Sequence, residues 1–262
     1  MMKALRAIPL LLVIIASLAA CGTGAATPTP NGAPAAATPT NAPAVLPTAA
    51  QPANLCTNEY LPAKKHTRWT YSSTGSPAGP YEFTEQVSYV RSDGFTISSQ
   101  LKKVPVKQLW SCRPEGLTPG TIILDNATSI LAFQKLSNIK TDSETGVVIP
   151  ANLVPNMQWN YTINLEGAQK AAGAVVTASM EVSYSSGNKE SVAVPAGTYD
   201  AIPVTAVSLI KFDVPGSPTV IVKSQYTYWY AAGVGWVKAS GNGKIGGQEF
   251  VETIVLTAFV SK

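Results

Sequence analysis

Beyond about residue 66 the apolar positions gather in short runs rich in β-branched and aromatic residues, broken by Gly, Pro, Ser or Asp. Such runs read as strands, in which successive side chains point to opposite faces. The first runs are Thr67 to Ser73, Tyr81 to Val90, Phe95 to Leu101, Val104 to Trp110 and Thr121 to Leu124. Longer ones follow: Met157 to Leu165, Ala174 to Tyr184, Glu190 to Val194, Ala201 to Phe212, Thr219 to Tyr230, Gly235 to Ala239 and Gln248 to Val260. Between Val220 and Tyr230, Tyr226, Tyr228 and Tyr230 share one face, and Lys223, Gln225 and Thr227 share the other. That is a strand with one wet face. Helical spacing is scarce. Ala127 to Leu136, behind a cap at Asp125 or Asn126, offers Ile130, Leu131 and Phe133 as a short apolar face. Gly167 to Ala172 reads as a hairpin loop or a single turn. The expected fold is all-β and mainly antiparallel, a curved sheet forming a β-sandwich or an open half-barrel with at most one or two short helices.

Two segments are alike: Leu61-Pro62 leading to Trp69-Thr70-Tyr71, and Ile149-Pro150 leading to Trp159-Asn160-Tyr161. Each is a Pro-marked approach to a Trp-x-Tyr strand whose two aromatics stand on one face. They read either as core-forming strands of two similar halves or as an aromatic ligand clamp.

Ahead of the strands the pattern changes twice. A basic start (Lys3, Arg6) and an apolar run from Ile8 to Leu18 end in Leu18-Ala19-Ala20-Cys21. The apolar run is shorter than the ~20 residues a bilayer-spanning helix needs. A short apolar core ending in small residues is a secretion signal, expected to be cut between Ala20 and Cys21. The alternative is an N-terminal transmembrane helix with an incidental cysteine. The Leu-Ala-Ala-Cys run resembles the lipobox of bacterial lipoprotein signal peptides. That resemblance implies a signal peptide over 1–20, a Cys21 diacylated on sulfur (palmitate being a typical chain), and an extracytoplasmic protein anchored to the cell membrane or the outer membrane. Residues 21–54 then form the lipidated N-terminus and a tether. Residues 22–54 hold Ala, Pro, Thr, Gly and Asn in abundance and no Lys, Arg, Asp or Glu. Proline locks φ and the small side chains bury little, so the segment stays extended and solvated. At roughly 3 Å per residue it reaches several tens of ångströms from the lipid surface. Residues 55–262 make one large β-domain.

Of three cysteines, Cys21 goes to lipid, which leaves Cys56 and Cys112. In an exported protein two leftover thiols are expected to pair; two separately buried thiols are the other reading. With one histidine, His66, the chain does not supply the four ligands of a structural zinc site, so no metal and no cofactor is expected. Seventeen basic residues outside the signal face fifteen acids. The densest basic cluster, Lys64, Lys65, His66 and Arg68, is too short for a nucleic-acid footprint.

The most distinctive stretch is Val192-Ala193-Val194-Pro195-Ala196-Gly197-Thr198-Tyr199-Asp200-Ala201, followed by Trp229-Tyr230-Ala231-Ala232-Gly233-Val234-Gly235-Trp236. The first reads as strand, turn and strand; the second as a strand, a Gly-rich turn and a strand opening at Trp236. Over about residues 150 to 260 these resemble a group of uncharacterised bacterial cell-envelope domains built as curved antiparallel sheets. A looser likeness is to half-barrels of the LolA and LppX type, which implies an apolar ligand or lipid held in a cavity.

Catalytic patterns are weak. Ser-x-x-Lys occurs at Ser99, Ser137, Ser186 and Ser208 without companion motifs. Gly241-x-Gly243-x-x-Gly246 lacks the helix that phosphate binding needs and reads as a flexible hairpin connection. Glu82 and Glu85 fall on opposite strand faces, and Asp142 with Glu144 reads as a polar loop. A hydrolase would have to use His66. The expectation is therefore a non-enzymatic binding or structural module whose partners are the membrane, through its anchor, and an apolar ligand or an envelope protein. A lipid carrier comes second and a hydrolase third.

Overall fold

In a computed structural model, residues 54–76, 79–101, 104–120, 136–169, 173–245 and 248–261 are described. Cys21 and the segment before residue 54 lie outside them, as do Thr121 to Leu124 and the helix expected from Ala127, up to residue 135. The described residues form fourteen strands in one antiparallel sheet and no helix.

The first seven strands are β1 (Arg68–Thr74), β2 (Tyr81–Val90), β3 (Gly94–Leu101), β4 (Val104–Arg113), β5 (Gly116–Pro119), β6 (Leu136–Gly146) and β7 (Ile149–Pro150). The rest are β8 (Gln158–Gln169), β9 (Val175–Ser186), β10 (Glu190–Val194), β11 (Gly197–Asp213), β12 (Val220–Ala231), β13 (Gly235–Ile245) and β14 (Gln248–Val260). Their spatial order is β6-β8-β9-β11-β12-β13-β14-β1-β2-β3-β4-β5-β7, with β10 paired to the start of β11. Neighbours in the chain are mostly neighbours in the sheet. The long-range link is β1 beside β14, from Arg68 opposite Val260 to Thr74 opposite Thr253.

The sheet curls so that the inward faces of both halves share one core, from Trp69, Tyr71, Phe83 and Phe95 to Ile163, Val182, Ile202 and Val204. Burying a large apolar side chain contributes roughly 1.5–3 kcal/mol, so this shared inner face is what bends the sheet round. Its two edges approach without a continuous ladder and the sheet is not closed into a barrel. Side chains join them instead. Arg113 on β4 pairs with Glu144 on β6, and Thr141 Oγ1 donates to the Gly120 carbonyl at 3.1 Å; Tyr161 on β8, the strand paired to β6, holds Glu144 in place by donating to its Oε1 at 2.7 Å.

Three sequence expectations change. Asp142 and Glu144 lie in strand β6, not in a loop; β6 is an exposed edge whose register with β8 shifts twice, so no alternation marks it. Gly167 to Gln169 belong to β8 rather than to a hairpin loop. Gly241 and Gly243 sit inside β13, paired to β12 and β14, rather than in a flexible connection. A Cβ at Gly241 would meet the Tyr226 ring at 2.5 Å, and one at Gly243 the Phe250 ring at 2.5 Å. The glycines are there so that two inward aromatic rings can lie flat on the strand.

Candidate functional site

The interior is closed at one end by the segment that leads into β1. Cys56 is joined to Cys112 on β4, with Cα atoms 5.0 Å apart. Around that bond the Leu55 amide donates to Ser92 O at 3.3 Å and the Cys112 amide to Asp93 O at 2.8 Å. Buried Asn58 donates from Nδ2 to Pro150 O at 3.1 Å, while its Oδ1 accepts the Tyr60 amide at 2.9 Å. The Gly233 amide, in the turn between β12 and β13, donates to Glu59 O at 2.8 Å. Residues 55–61 are thus a plug pinned to three separate parts of the sheet, whose own Tyr60 and Leu61 are buried.

Both sequence motifs of the C-terminal half serve this end of the molecule. Trp69 Nε1 donates to Val234 O at 2.5 Å and Tyr71 Oη to Trp236 O at 3.0 Å. The Tyr71 and Trp236 rings stack at 3.8 Å, nearly parallel. Gly235, at φ +108, is the residue that lets the turn come this close: a Cβ there would sit 3.4 Å from Trp69 Nε1. The Val194-Pro195-Ala196-Gly197 turn joins β10 to β11 as expected. Its Ala196 amide donates to Leu256 O at 3.1 Å, on the stretch of β14 beyond the last β13 pair, Lys238 with Val255. The hairpin tip seals a gap in the ladder.

Trp69, Tyr71 and Tyr161 are fully buried, so the two Trp-x-Tyr strands are core-forming. Trp159 is half-buried and stacks on Tyr184 at 5.2 Å. No aromatic clamp is made from the four.

Behind the plug lies a cavity of about 100 Å³. Leu61, Val148 and Ile149 line its plugged end. Glu85, Ile97, Gln108 and Trp110 from β2 to β4 form one wall, and Met180, Val182, Ala206, Ser208, Ser224 and Tyr226 from β9, β11 and β12 face them. Half-buried Tyr228 and Tyr230 continue that wall, with Tyr228 edge-on to Trp236 at 6.1 Å. Tyr71 is kept protonated well above the usual tyrosine range, first by burial and then by the nearby charges of Glu85 and Tyr230. Gln108 and Trp110, the polar members of the wall from β4, stand out only by parity in the sequence. Val106, Gln108, Trp110 and Cys112 alternate inward, and a glutamine in that row was the signal to be found.

A second polar cluster is structural. Glu252 is fully buried; its Oε1 accepts from Ser73 at 2.6 Å and Tyr81 at 2.7 Å, and its Oε2 accepts from Tyr226 at 2.9 Å. It ties β1, β2 and β12 to β14 through the core.

His66 is exposed in the turn before β1, at φ 71, and its imidazole has no hydrogen-bonding partner among the described residues. Glu82 faces solvent and Glu85 the interior, as their spacing predicts. On the outer face an open concavity of about 810 Å³ crosses Val207, Lys223, Gln225, Asn242 and Val251, with Lys244 and Glu249 paired at 3.8 Å. Its charge is mixed.

No protein-family model matches the chain, and no curated protein does. Two solved structures are similar to it. One is provisionally described as an exported protein with a YmcC-like fold from Bacteroides fragilis NCTC 9343; it is 13% identical, covering 78% of this chain and 100% of that one, with a TM-score of 0.49. The other is provisionally described as a lipoprotein from Parabacteroides distasonis ATCC 8503; it is 15% identical, covering 78% and 99%, with a TM-score of 0.49. At these values a likeness transfers no activity to this chain.

Proposed function

We propose that the chain is a lipoprotein of the cell envelope, cut before Cys21, held outside the cytoplasm by acyl chains on that sulfur, and acting as a non-catalytic binding or structural module. The observation that carries the reading is the cysteine count joined to the Cys56–Cys112 bond. Disulfides persist in oxidising compartments, and this one uses both thiols that lipidation of Cys21 leaves. The Ala/Pro/Thr-rich segment before residue 55 fits a spacer between lipid and domain, and the plug to which it leads is covalently fixed, a suitable base for a body held by its N-terminal side.

The interior supports a packed module over a lipid carrier. Ligand pockets for drug-sized molecules run to ~300–1,000 Å³, whereas this cavity measures about 100 Å³. An acyl chain would need the sheet to open. The exposed His66 has no hydrogen-bonded nucleophile among the described residues, so the geometry lends a hydrolase no support.

Fractionating cells that express the full chain tests the anchor. The unaltered protein is expected in membranes with labelled palmitate attached, and Cys21→Ser is expected to lose the label and leave the membrane fraction. Label retained by Cys21→Ser would overturn the anchor. Native mass spectrometry of the detergent-solubilised protein tests the module: a lipid bound in addition to the covalent anchor would restore the carrier.

A further inference from the structure

The outer face of β1 to β4 gathers cations around exposed apolar side chains, at the end where the chain enters the domain. Arg68 lies opposite Gln86, Gln86 opposite Ser98, and Ser98 opposite Lys107. Their chain neighbours Trp69, Val87, Ile97 and Gln108 point inward and are buried, so this row points out. At ~4.8 Å between strands, Arg68 and Lys107 stand about 15 Å apart. The next outward row towards that end is Tyr89, Thr96 and Leu109, with Tyr89 58% and Leu109 55% exposed. By parity Tyr89 would follow Tyr81, Phe83, Glu85 and Val87 into the core. The bulge between Val87 and Tyr89 turns it out instead, and exposed Ser88 beside it shares a hydrogen bond with Ser98 Oγ at 2.9 Å. A bulge that re-aims an aromatic ring into water gives up the gain of burying it, so the exposed ring calls for a use.

Lys64 and Lys65 stand in the turn beside these rows, where the His66 amide donates to Val87 O at 2.9 Å. They are exposed, as are Arg68 and Lys107, and none of the four is in an ion pair among the described residues. Neither row holds an acid. Of the exposed acids between residues 54 and 120, Asp93 is taken by Arg91 at 3.4 Å, Glu59 lies against the β12–β13 turn, Glu115 is past the end of β4, and Glu82 is at the other end of β2.

We propose that this face docks on the anionic phospholipid surface to which the chain is anchored, with the cations at the phosphates and Tyr89 and Leu109 in the interfacial layer. Docking rests on the lipid-anchor reading and adds to it a fixed orientation of the domain. The point of entry of the chain decides the occupant. The Leu55 amide is bonded to Ser92 O at 3.3 Å, in the hairpin that follows Tyr89, so the chain from Cys21 enters the domain beside this face. An anchored chain meets its own membrane at high effective concentration, and a contact too weak to recruit a free protein is then enough. Lys and Arg are drawn to an anionic surface within a Debye length, about 8 Å at physiological salt, and an amphipathic tyrosine ring suits the headgroup level.

Lysine footprinting of the acylated full chain tests this, after insertion into preformed vesicles of phosphatidylglycerol with phosphatidylcholine, or of phosphatidylcholine alone. A membrane-impermeant amine reagent labels exposed lysines, and mass spectrometry reads the rate at each. In the anionic vesicles Lys64, Lys65 and Lys107 are expected to label at least about fivefold more slowly than in the neutral ones, as even one cation's attraction to such a surface implies. Lys223 and Lys244, on β12 and β13, are expected to label equally in both. High salt should remove the difference. Arg68→Glu/Lys107→Glu should restore fast labelling of Lys64 and Lys65 in anionic vesicles, and Tyr89→Ser/Leu109→Ser should restore part of it. Melting followed by circular dichroism checks that each variant is folded. Rates at Lys64, Lys65 and Lys107 that are equal in both vesicle types, with the chain floating on each, overturn the docked face and leave the anchor standing. Full protection that survives in the folded Arg68→Glu/Lys107→Glu chain overturns it as well. A chain that floats with neither vesicle has no anchor, and the docked orientation falls with it.

Discussion

Removing the Cys56–Cys112 cross-link should weaken the whole domain and loosen its plug first. The bond closes a loop with a sequence separation of 56. Chain-entropy arguments value such a constraint at about 4 kcal/mol, and a domain of this size shifts by roughly 2–4 °C per kcal/mol, so the midpoint should fall by about 8–16 °C. The plug keeps its hydrogen bonds from Leu55 to Ser92, Asn58 to Pro150 and Gly233 to Glu59. Those bonds oppose complete release, so the reduced protein should remain folded at room temperature. The assay is thermal unfolding of the full chain by circular dichroism, with and without a dithiol reductant, beside the Cys56→Ala/Cys112→Ala variant. Hydrogen exchange gives the local readout: the Gly233 amide should exchange faster after reduction, while amides in the centre of the β11–β12 ladder should change only with global stability. Equal melting in all three samples, or unchanged exchange at Gly233, would refute the idea that this bond secures the closed end.

Other perturbations address the core, the edges and pH. Glu252→Ala leaves the Ser73, Tyr81 and Tyr226 hydroxyls buried without their acceptor and should cost about 3–5 kcal/mol by chemical denaturation; a loss under about 1 kcal/mol would contradict the hub. Glu144→Ala removes the acceptor for Arg113 and Tyr161 at the meeting edges. It should cost about 1–2 kcal/mol and speed exchange of the Val148 amide, whereas a residue in a free polar loop would change stability by less than about 0.5 kcal/mol. Tyr161 is also held protonated far above the usual tyrosine range, first by burial and then by the hydrogen bond and charge of Glu144. With Tyr71 raised likewise, the folded state keeps protons that the unfolded chain releases near pH ~10. Their contribution is therefore complete below that pH and lost as pH rises beyond it. Alkaline titration followed at the tyrosinate band should show these two ionising only with unfolding; their ionisation in a protein that stays folded would contradict the burial.

Strand positions were legible wherever one face is buried, because burial forces alternation: Tyr81–Val90 and Glu190–Val194 were placed to the residue. Strand β6 was not, since its side chains are mostly exposed and its register slips twice against β8. Strands β5 and β7 are too short to show a period. The later part of β13 was hidden by Gly241 and Gly243, whose role depends on rings from two other strands. Cysteine counting anticipated the bond between Cys56 and Cys112. The cavity was not legible, because its walls come from strands far apart in the chain, and a tyrosine that lines a space looks in sequence like one that fills it. Glu85 and Gln108 carried a signal, each as a polar residue in an inward row.

The central claim is that the mature chain begins at a lipid-bearing Cys21 and carries its other two cysteines as a bond. Mass spectrometry of the N-terminal peptide from unreduced protein, purified from membranes, tests it most directly. The account predicts a peptide starting at Cys21 with the added mass of a thioether-linked diacylglyceryl group, and no free thiol elsewhere in the chain. A mature chain that retains residues 1–20, or a Cys21 recovered as an unmodified thiol, would contradict it.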